Sequence, residues 1–217
     1  MDLLIFDLDG TLIDSKKDLA NAVNATRVHM GLAPVDGEVA ASWVGNGAPV
    51  LVRRAMGPDA SEADVERALA WFLEYYFDHM MDNTVLYPGV RQGLDTLRDA
   101  GLRMAVLTNK PVRFSRALVS GLGVGSHFFQ VYGGNSFDRK KPDPIGVETL
   151  RREAGGIAPE STLMIGDSSV DIRTARNAGI AACGVTWGLQ PDSLKTDPPD
   201  VLVNRMEELT DFVLSRR

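Results

Sequence analysis

Leu3-Leu4-Ile5-Phe6-Asp7-Leu8-Asp9-Gly10-Thr11-Leu12 is the stretch that decides the fold. Four consecutive apolar residues run directly into two aspartates one residue apart, and then into a glycine. A short unbroken apolar run reads as a strand buried on both faces, as in a parallel sheet. The sudden change to Asp-x-Asp-Gly puts polar groups at its carboxyl end, where open α/β sheets keep their functional residues.

The same pattern recurs downstream. Met104-Ala105-Val106-Leu107 ends at Thr108-Asn109, Leu163-Met164-Ile165 at Gly166-Asp167, Ile180 to Val185 at Thr186, and Val201-Leu202-Val203 at Asn204, with Phe129 to Tyr132 a weaker strand. Helical patterns separate these runs. Pro88 stands at a first helical position, Val90, Leu94 and Leu97 follow at helical spacing, and Gly101 ends the helix. Phe114 and Leu118, Ile145 to Leu150, and Ser168 to Ala178 mark three more. Alternating strands and helices predict an α/β fold, a Rossmann-like doubly wound parallel sheet.

One interval departs from that alternation. Between Ser15 and Asn83 the patterns are helical only: Ser15 with Asp18 and Ser61 with Asp64 read as capping boxes, and Val65, Ala68, Leu69, Phe72, Tyr75, Tyr76 and Met80 recur at helical spacing. The predicted organisation is a core of 1–14 and 84–217 with a helical insert at 15–83.

Composition narrows the class. With 217 residues, 44% apolar and 24% charged, the chain is long enough for a full core and is neither disordered nor fibrous. A net charge of -6 and the lack of a basic run argue against nucleic acid and anionic membranes as partners. No stretch approaches the ~18 apolar residues that span a bilayer, and Leu3 to Phe6 lacks the flanks of an export signal. The single cysteine, Cys183, excludes an internal disulfide and is compatible with a reducing, cytoplasmic setting.

The polar residues beyond the strands form a chemically coherent set: Asp7 and Asp9, Thr108 and Asn109, Asp167 and Asp171, with Lys141 in the loop Lys140-Lys141-Pro142-Asp143-Pro144. Each has an ordinary reading alone, as turn or cap chemistry. Gathered at one sheet edge, the carboxylates repel one another unless a hard divalent cation joins them, and Mg2+ takes such oxygen ligands together with substrate phosphate. Lys141 and Thr108 offer donors to a phosphate. Asp7 is then a candidate nucleophile toward phosphorus, and Asp9 a candidate acid and base for leaving group and water.

Asp7 to Leu12, Leu107-Thr108-Asn109, Lys141-Pro142 and Gly166-Asp167-Ser168-Ser169-Val170-Asp171 resemble the four motifs of the haloacid dehalogenase superfamily. The resemblance implies a Rossmann-like core with an α-helical cap inserted after the first motif. It implies Asp7 as nucleophile and magnesium ligand, and Asp9 as acid/base and metal ligand through its carbonyl. Thr108 and Lys141 would hold the phosphoryl group, Asp167 would bind the metal, and Asp171 would support that site or Lys141. Asp9 points to phosphoryl chemistry, because the haloalkanoate dehalogenases of the superfamily lack the second aspartate.

Within the superfamily the chain is most similar to the phosphoglycolate phosphatase branch, through Trp43 to Ala48, Thr108-Asn109-Lys110-Pro111 and Val185-Thr186-Trp187-Gly188. The small phosphorylated metabolite expected as substrate is therefore 2-phosphoglycolate. Asn109, backbone amides near Gly47, and Arg53 or Arg54 are candidate substrate contacts. Pyrophosphate, sugar phosphates and nucleotides stay open as substrates, as does a phosphomutase that returns the phosphoryl group to a sugar. A phospho-accepting signalling domain is a competing reading from another class, but such domains are about half this length and lack an insert. Monomer and homodimer are both compatible with the sequence.

Overall fold

In the computed structural model, which describes residues 1–216, the chain begins with β1 (Leu3–Phe6), β2 (Ile13–Asp14) and four helices: α1 (Lys16–His29), α2 (Gly37–Ser42), α3 (Ala48–Met56) and α4 (Glu62–His79). It continues through β3 (Val85–Leu86), α5 (Val90–Asp99), β4 (Arg103–Leu107), α6 (Val112–Gly121), β5 (Gln130–Tyr132) and α7 (Ile145–Glu153). The last elements are β6 (Thr162–Gly166), α8 (Ser169–Asn177), β7 (Ala181–Val185), β8 (Val201–Val203) and α9 (Met206–Leu214). Two compact units result, one of residues 1–13 and 86–217, the other of 14–85.

The larger unit holds a six-stranded sheet in the order β5-β4-β1-β6-β7-β8. All five pairings are parallel, with Ile5 opposite Ala105 on one side and Met164 on the other. The sheet is doubly wound about β1: the chain builds outward to β5, then returns to the other side of β1 with β6. Its topological switch lies at the carboxyl end of β1, the position where such sheets bind ligands.

The unbroken apolar runs are explained by burial on both faces. Leu3, Ile5, Ala105, Leu107, Met164 and Ala182 pack with Val147 and Leu150 of α7 and Ile172 and Ala175 of α8. The alternate residues Leu4, Phe6, Met104 and Val106 are equally buried, and by strand periodicity they face the opposite side. The sheet also grips the first polar residue past β1 and past β4. Asp7 N–H donates to Ile165 O at 2.9 Å, and Thr108 N–H to Tyr132 O at 3.0 Å.

The smaller unit is built from α1 to α4. The buried stripe of α4 comprises Val65, Ala68, Phe72 and Tyr76, while Leu69 and Tyr75 sit at its half-buried margin. Ser61 caps α4 by accepting from Asp64 N–H. The expected box at Ser15 does not form. Ser15 makes no side-chain cap bond, and the Asp18 carboxylate instead accepts from Asn83 N–H, Asn83 Nδ2, Thr84 N–H and Thr84 Oγ1 at 2.7–2.9 Å. Four donors satisfy a carboxylate better than one helix-end amide, so Asp18 ties the start of α1 to the segment after α4.

Two further differences concern local chemistry. Pro88 precedes α5 rather than beginning it, because Gly89 takes the N-cap in a left-handed conformation, φ 78°. The paired strands β2 and β3, two residues each, are too short to show a pattern in sequence. Among the described residues, no helix is long and apolar enough to cross a membrane.

Asp18→Asn turns an acceptor-only group into one that presents donors to donors. It is expected to destabilise the 14–85 unit by about 2–4 kcal/mol, read by urea unfolding, with hydrogen exchange accelerating in α1 and around Asn83. An unchanged midpoint would show that the clamp carries no stability.

Candidate active site

The site begins with the turn that follows β1. The amides of Thr11, Leu12 and Ile13 all donate to Leu8 O, and Gly10 N–H donates to Ile13 O. This folds 7–13 into a tight loop over the sheet edge. Gly10 sits at φ 82°, and a Cβ there would lie 2.3 Å from Asp167 Oδ2. Gly188 is confined in the same way, since a Cβ would come within 2.2 Å of Asp167 Cβ and 2.3 Å of Gly10 O. Both glycines therefore give Asp167 its room. Trp187 fastens the late loop to the first by donating its Nε1–H to Thr11 O at 3.0 Å.

Asp7, Asp167 and Asp171 are all buried, with a carboxylate oxygen from each within 4.8 Å of the others. Lys141, also buried, donates to Asp171 Oδ1 at 2.6 Å and lies 2.9 Å from Asp7 Oδ1. The second contact is a buried ion pair, and Asp7 Oδ1 has no donor besides that ammonium. Asp171 Oδ2 accepts from Ser168 N–H and Oγ as the N3 half of a capping box on α8. Asp167 Oδ2 accepts the amides of Leu189 and Gln190 at 2.6 and 3.0 Å.

The electrostatics follow from that crowding. Burial pushes the Asp7 carboxyl up to about 6; Lys141 opposes the rise and Asp171 adds to it. Burial, then the charges of Asp171 and Asp7, push Asp167 up to about 8. For Lys141, burial works against the charge, but Asp171 and Asp7 outweigh it and the ammonium is held more firmly than an ordinary lysine.

Thr108 and Asn109 stand at the end of β4. Thr108 is buried and accepts from Lys110 N–H at 3.2 Å. Asn109 reaches across to the Lys141 loop, donating Nδ2–H to Lys141 O at 3.1 Å, while its Oδ1 is buried without a partner. Asp9 does not join the buried trio through its side chain. Both its oxygens are held by Lys110 Nζ, at 3.0 and 3.1 Å. The sequence reading assigned no role to Lys110; its only signal was its place in Thr108-Asn109-Lys110-Pro111.

The donor set fits a hard divalent cation. Asp7, Asp9, Asp167 and Asp171 bring four carboxylates against the two ammonium groups of Lys141 and Lys110, an excess of two negative charges. Asp7 Oδ1 is a buried acceptor met only by the Lys141 ammonium, and every ligand atom offered is oxygen, which suits magnesium. Asp171 already uses both oxygens on Lys141 and Ser168, which leaves Asp7 and Asp167 as the carboxylates best placed for an ion.

The candidates in the helical unit have local partners. Gly47 caps α3 at φ 86°. Arg53 donates to Ala60 O at 2.9 Å and pairs with Glu62, and Arg54 donates to Trp43 O at 2.9 Å.

A doubly wound parallel sheet with a buried aspartate cluster and lysines at its switch point defines an α/β enzyme of the kind that handles anionic substrates with a cation. The family model described as haloacid dehalogenase-like hydrolase matches residues 4–185, and the chain belongs to this family. It is 40% identical over 213 residues to a phosphoglycolate phosphatase of Pseudomonas putida, covering 95% of this chain and 78% of the relative. It is 42% identical over 212 residues to a phosphoglycolate phosphatase of Chromobacterium violaceum, covering 96% and 94%. A crystal structure of a predicted phosphoglycolate phosphatase from Haemophilus somnus superposes with a TM-score of 0.92 at 30% identity, covering 98% of this chain and 97% of that one.

Raised carboxylate pKa values have a defined sign. In the metal-free protein, the contribution of Asp167 to stability is greatest below its ordinary value of 3.8 and is lost as pH rises through about 8; that of Asp7 is lost through about 6. A cation displaces those protons, so magnesium should raise the melting temperature little below pH 6 and most above pH 8. Thermal melts with magnesium and with EDTA across that range check this; a shift independent of pH would place the ion away from Asp7 and Asp167.

Proposed function

We propose that this enzyme is a magnesium-dependent phosphomonoester hydrolase working through an aspartyl-phosphate on Asp7, with 2-phosphoglycolate as its substrate. The observation that carries the reading is the state of Asp7: a buried carboxylate at the switch point whose Oδ1 meets only the Lys141 ammonium, beside the carboxylates of Asp167 and Asp171.

In the first step Asp7 attacks phosphorus and the bond to the leaving oxygen breaks, that oxygen taking a proton from the Asp9 carboxyl. In the second, water attacks the phosphorus of the acyl phosphate while the Asp9 carboxylate takes its proton; inorganic phosphate leaves and Asp7 is regenerated. Lys141 and Thr108 hold the phosphoryl oxygens, and Asp171 fixes Lys141. Asp7, Asp167 and the main-chain carbonyl of Asp9 would hold magnesium, which when bound offsets the repulsion between carboxylate and phosphate. The helical unit of residues 14–85 corresponds to the inserted cap that the resemblance implies, and Asn109 is a further substrate contact.

The choice of 2-phosphoglycolate rests on the relatives named above. Arg53 and Arg54 give it no added support, since both have partners within their own unit. Sugar phosphates, pyrophosphate and nucleotides suit the same chemistry, and a mutase would share the first step.

Phosphate release from a panel of phosphoglycolate, pyrophosphate, sugar phosphates and nucleotides, with magnesium and with EDTA, tests the reading. The expected result is magnesium-dependent turnover highest on phosphoglycolate and reduced at least about 10³-fold in Asp7→Asn. Preference for another member would overturn the substrate and keep the chemistry. Absence of release from every member would overturn the hydrolase reading.

A further inference from the structure

We propose that Lys110 is a positioning residue that sets the carboxylate of Asp9 for both proton transfers; this rests on the hydrolase reading above. The geometry is specific. Lys110 Nζ contacts both Asp9 oxygens, at 3.0 and 3.1 Å, so it fixes the plane of the carboxylate as well as its distance. The pair is sheltered, with the Lys110 side chain 5% exposed and that of Asp9 16%. Burying an ammonium group carries a desolvation cost that an ordinary loop lysine avoids by staying in water.

The base of Lys110 is equally well held. Its N–H donates to Thr108 Oγ1 at 3.2 Å, and its carbonyl accepts from Gly134 N–H at 2.9 Å. Thr108 is itself locked to β5 through Tyr132 O. A chain of hydrogen bonds thus runs from the sheet through the 108–110 turn to the Asp9 carboxylate, 101 residues away in sequence.

The two lysines divide the work. Lys141 is committed to Asp7 and Asp171, the nucleophile and its support. Lys110 is committed to Asp9. Without it, Asp9 loses the contact that holds both its oxygens in one plane. The nucleophile would keep its place, while proton transfer to the leaving oxygen and from water would lose its alignment. General acid–base catalysis depends on hydrogen-bond reach to the transferred proton, so misplacement affects turnover more than binding.

The test uses the full-length protein with magnesium and compares wild type, Lys110→Met, Lys110→Arg, Asp9→Asn and the double variant Asp9→Asn/Lys110→Met. The probes are phosphoglycolate and p-nitrophenyl phosphate, whose leaving group departs without a proton. Lys110→Met is expected to lower kcat on phosphoglycolate roughly 10- to 100-fold with KM within about threefold. On p-nitrophenyl phosphate it should give a burst of about one nitrophenolate per enzyme followed by slow turnover, because the phosphoenzyme forms but awaits an aligned base. Lys110→Arg should restore turnover to within about tenfold of wild type.

The double variant removes both charges together and keeps the cluster balanced, so it serves even if Lys110→Met does not fold. Its turnover should match that of Asp9→Asn alone. Losses that multiply in the double variant, or a raised KM with unchanged kcat in Lys110→Met, would overturn the inference, the latter by making Lys110 a substrate ligand. A wild type inert on both probes would instead defeat the hydrolase reading itself.

Discussion

Three buried carboxylates, those of Asp7, Asp167 and Asp171, converge at the end of one buried strand, and the rest of the site is arranged around their mutual repulsion. Desolvation drives Asp7 and Asp167 toward protonation, and the neighbouring carboxylates drive them further, while Lys141 draws Asp7 back. With Asp9 counted and all four carboxylates ionised, the two buried lysines leave an excess of two negative charges, which a divalent cation fits. The chemistry proposed for Asp7 depends on that imbalance. A fully neutralised carboxylate would be a poor ion ligand, and an isolated one would be protonated.

The sheet makes this tolerable by fixing positions through backbone bonds. Asp7 and Thr108 are each held by an inter-strand amide bond one residue beyond their strands, so their side chains start from rigid points. Gly10 and Gly188 keep the space beside Asp167 open where any side chain would collide with its carboxylate. Asp171 serves twice, closing the N-terminus of α8 and gripping Lys141, which ties the helix end to that lysine. Stability and function are therefore drawn from the same bonds at this edge.

Much of this is visible in sequence, for identifiable reasons. The parallel sheet can be read because its strands are buried on both faces and so appear as unbroken apolar runs ending in polar residues. The βα alternation implies a parallel sheet, while the convergence of Asp7, Lys141, Asp167 and Asp171 depends on the strand order that puts β6 beside β1. Other features depend on contacts between residues far apart in the chain. Asp18 has a helix-start spacing from Ser15, yet its carboxylate is taken by Asn83 and Thr84, more than sixty positions away. Lys110 follows a strand like any turn lysine, and only the fold brings its Nζ to Asp9. Gly89 displaces Pro88 from the helix start through a left-handed turn that Pro-Gly does not by itself reveal.

The central claim is that Asp7 carries the phosphoryl group during turnover. Rapid acid quench of the magnesium-loaded enzyme with radiolabelled phosphoglycolate, followed by peptide mapping, tests this most directly. The expected result is an acyl-phosphate label on the peptide containing Asp7, preserved in cold mild acid but released by alkali and by hydroxylamine, formed and lost at rates that match turnover and absent from Asp7→Asn. Label on another residue, or turnover with no labelled enzyme while Asp7→Asn stays active, would contradict it.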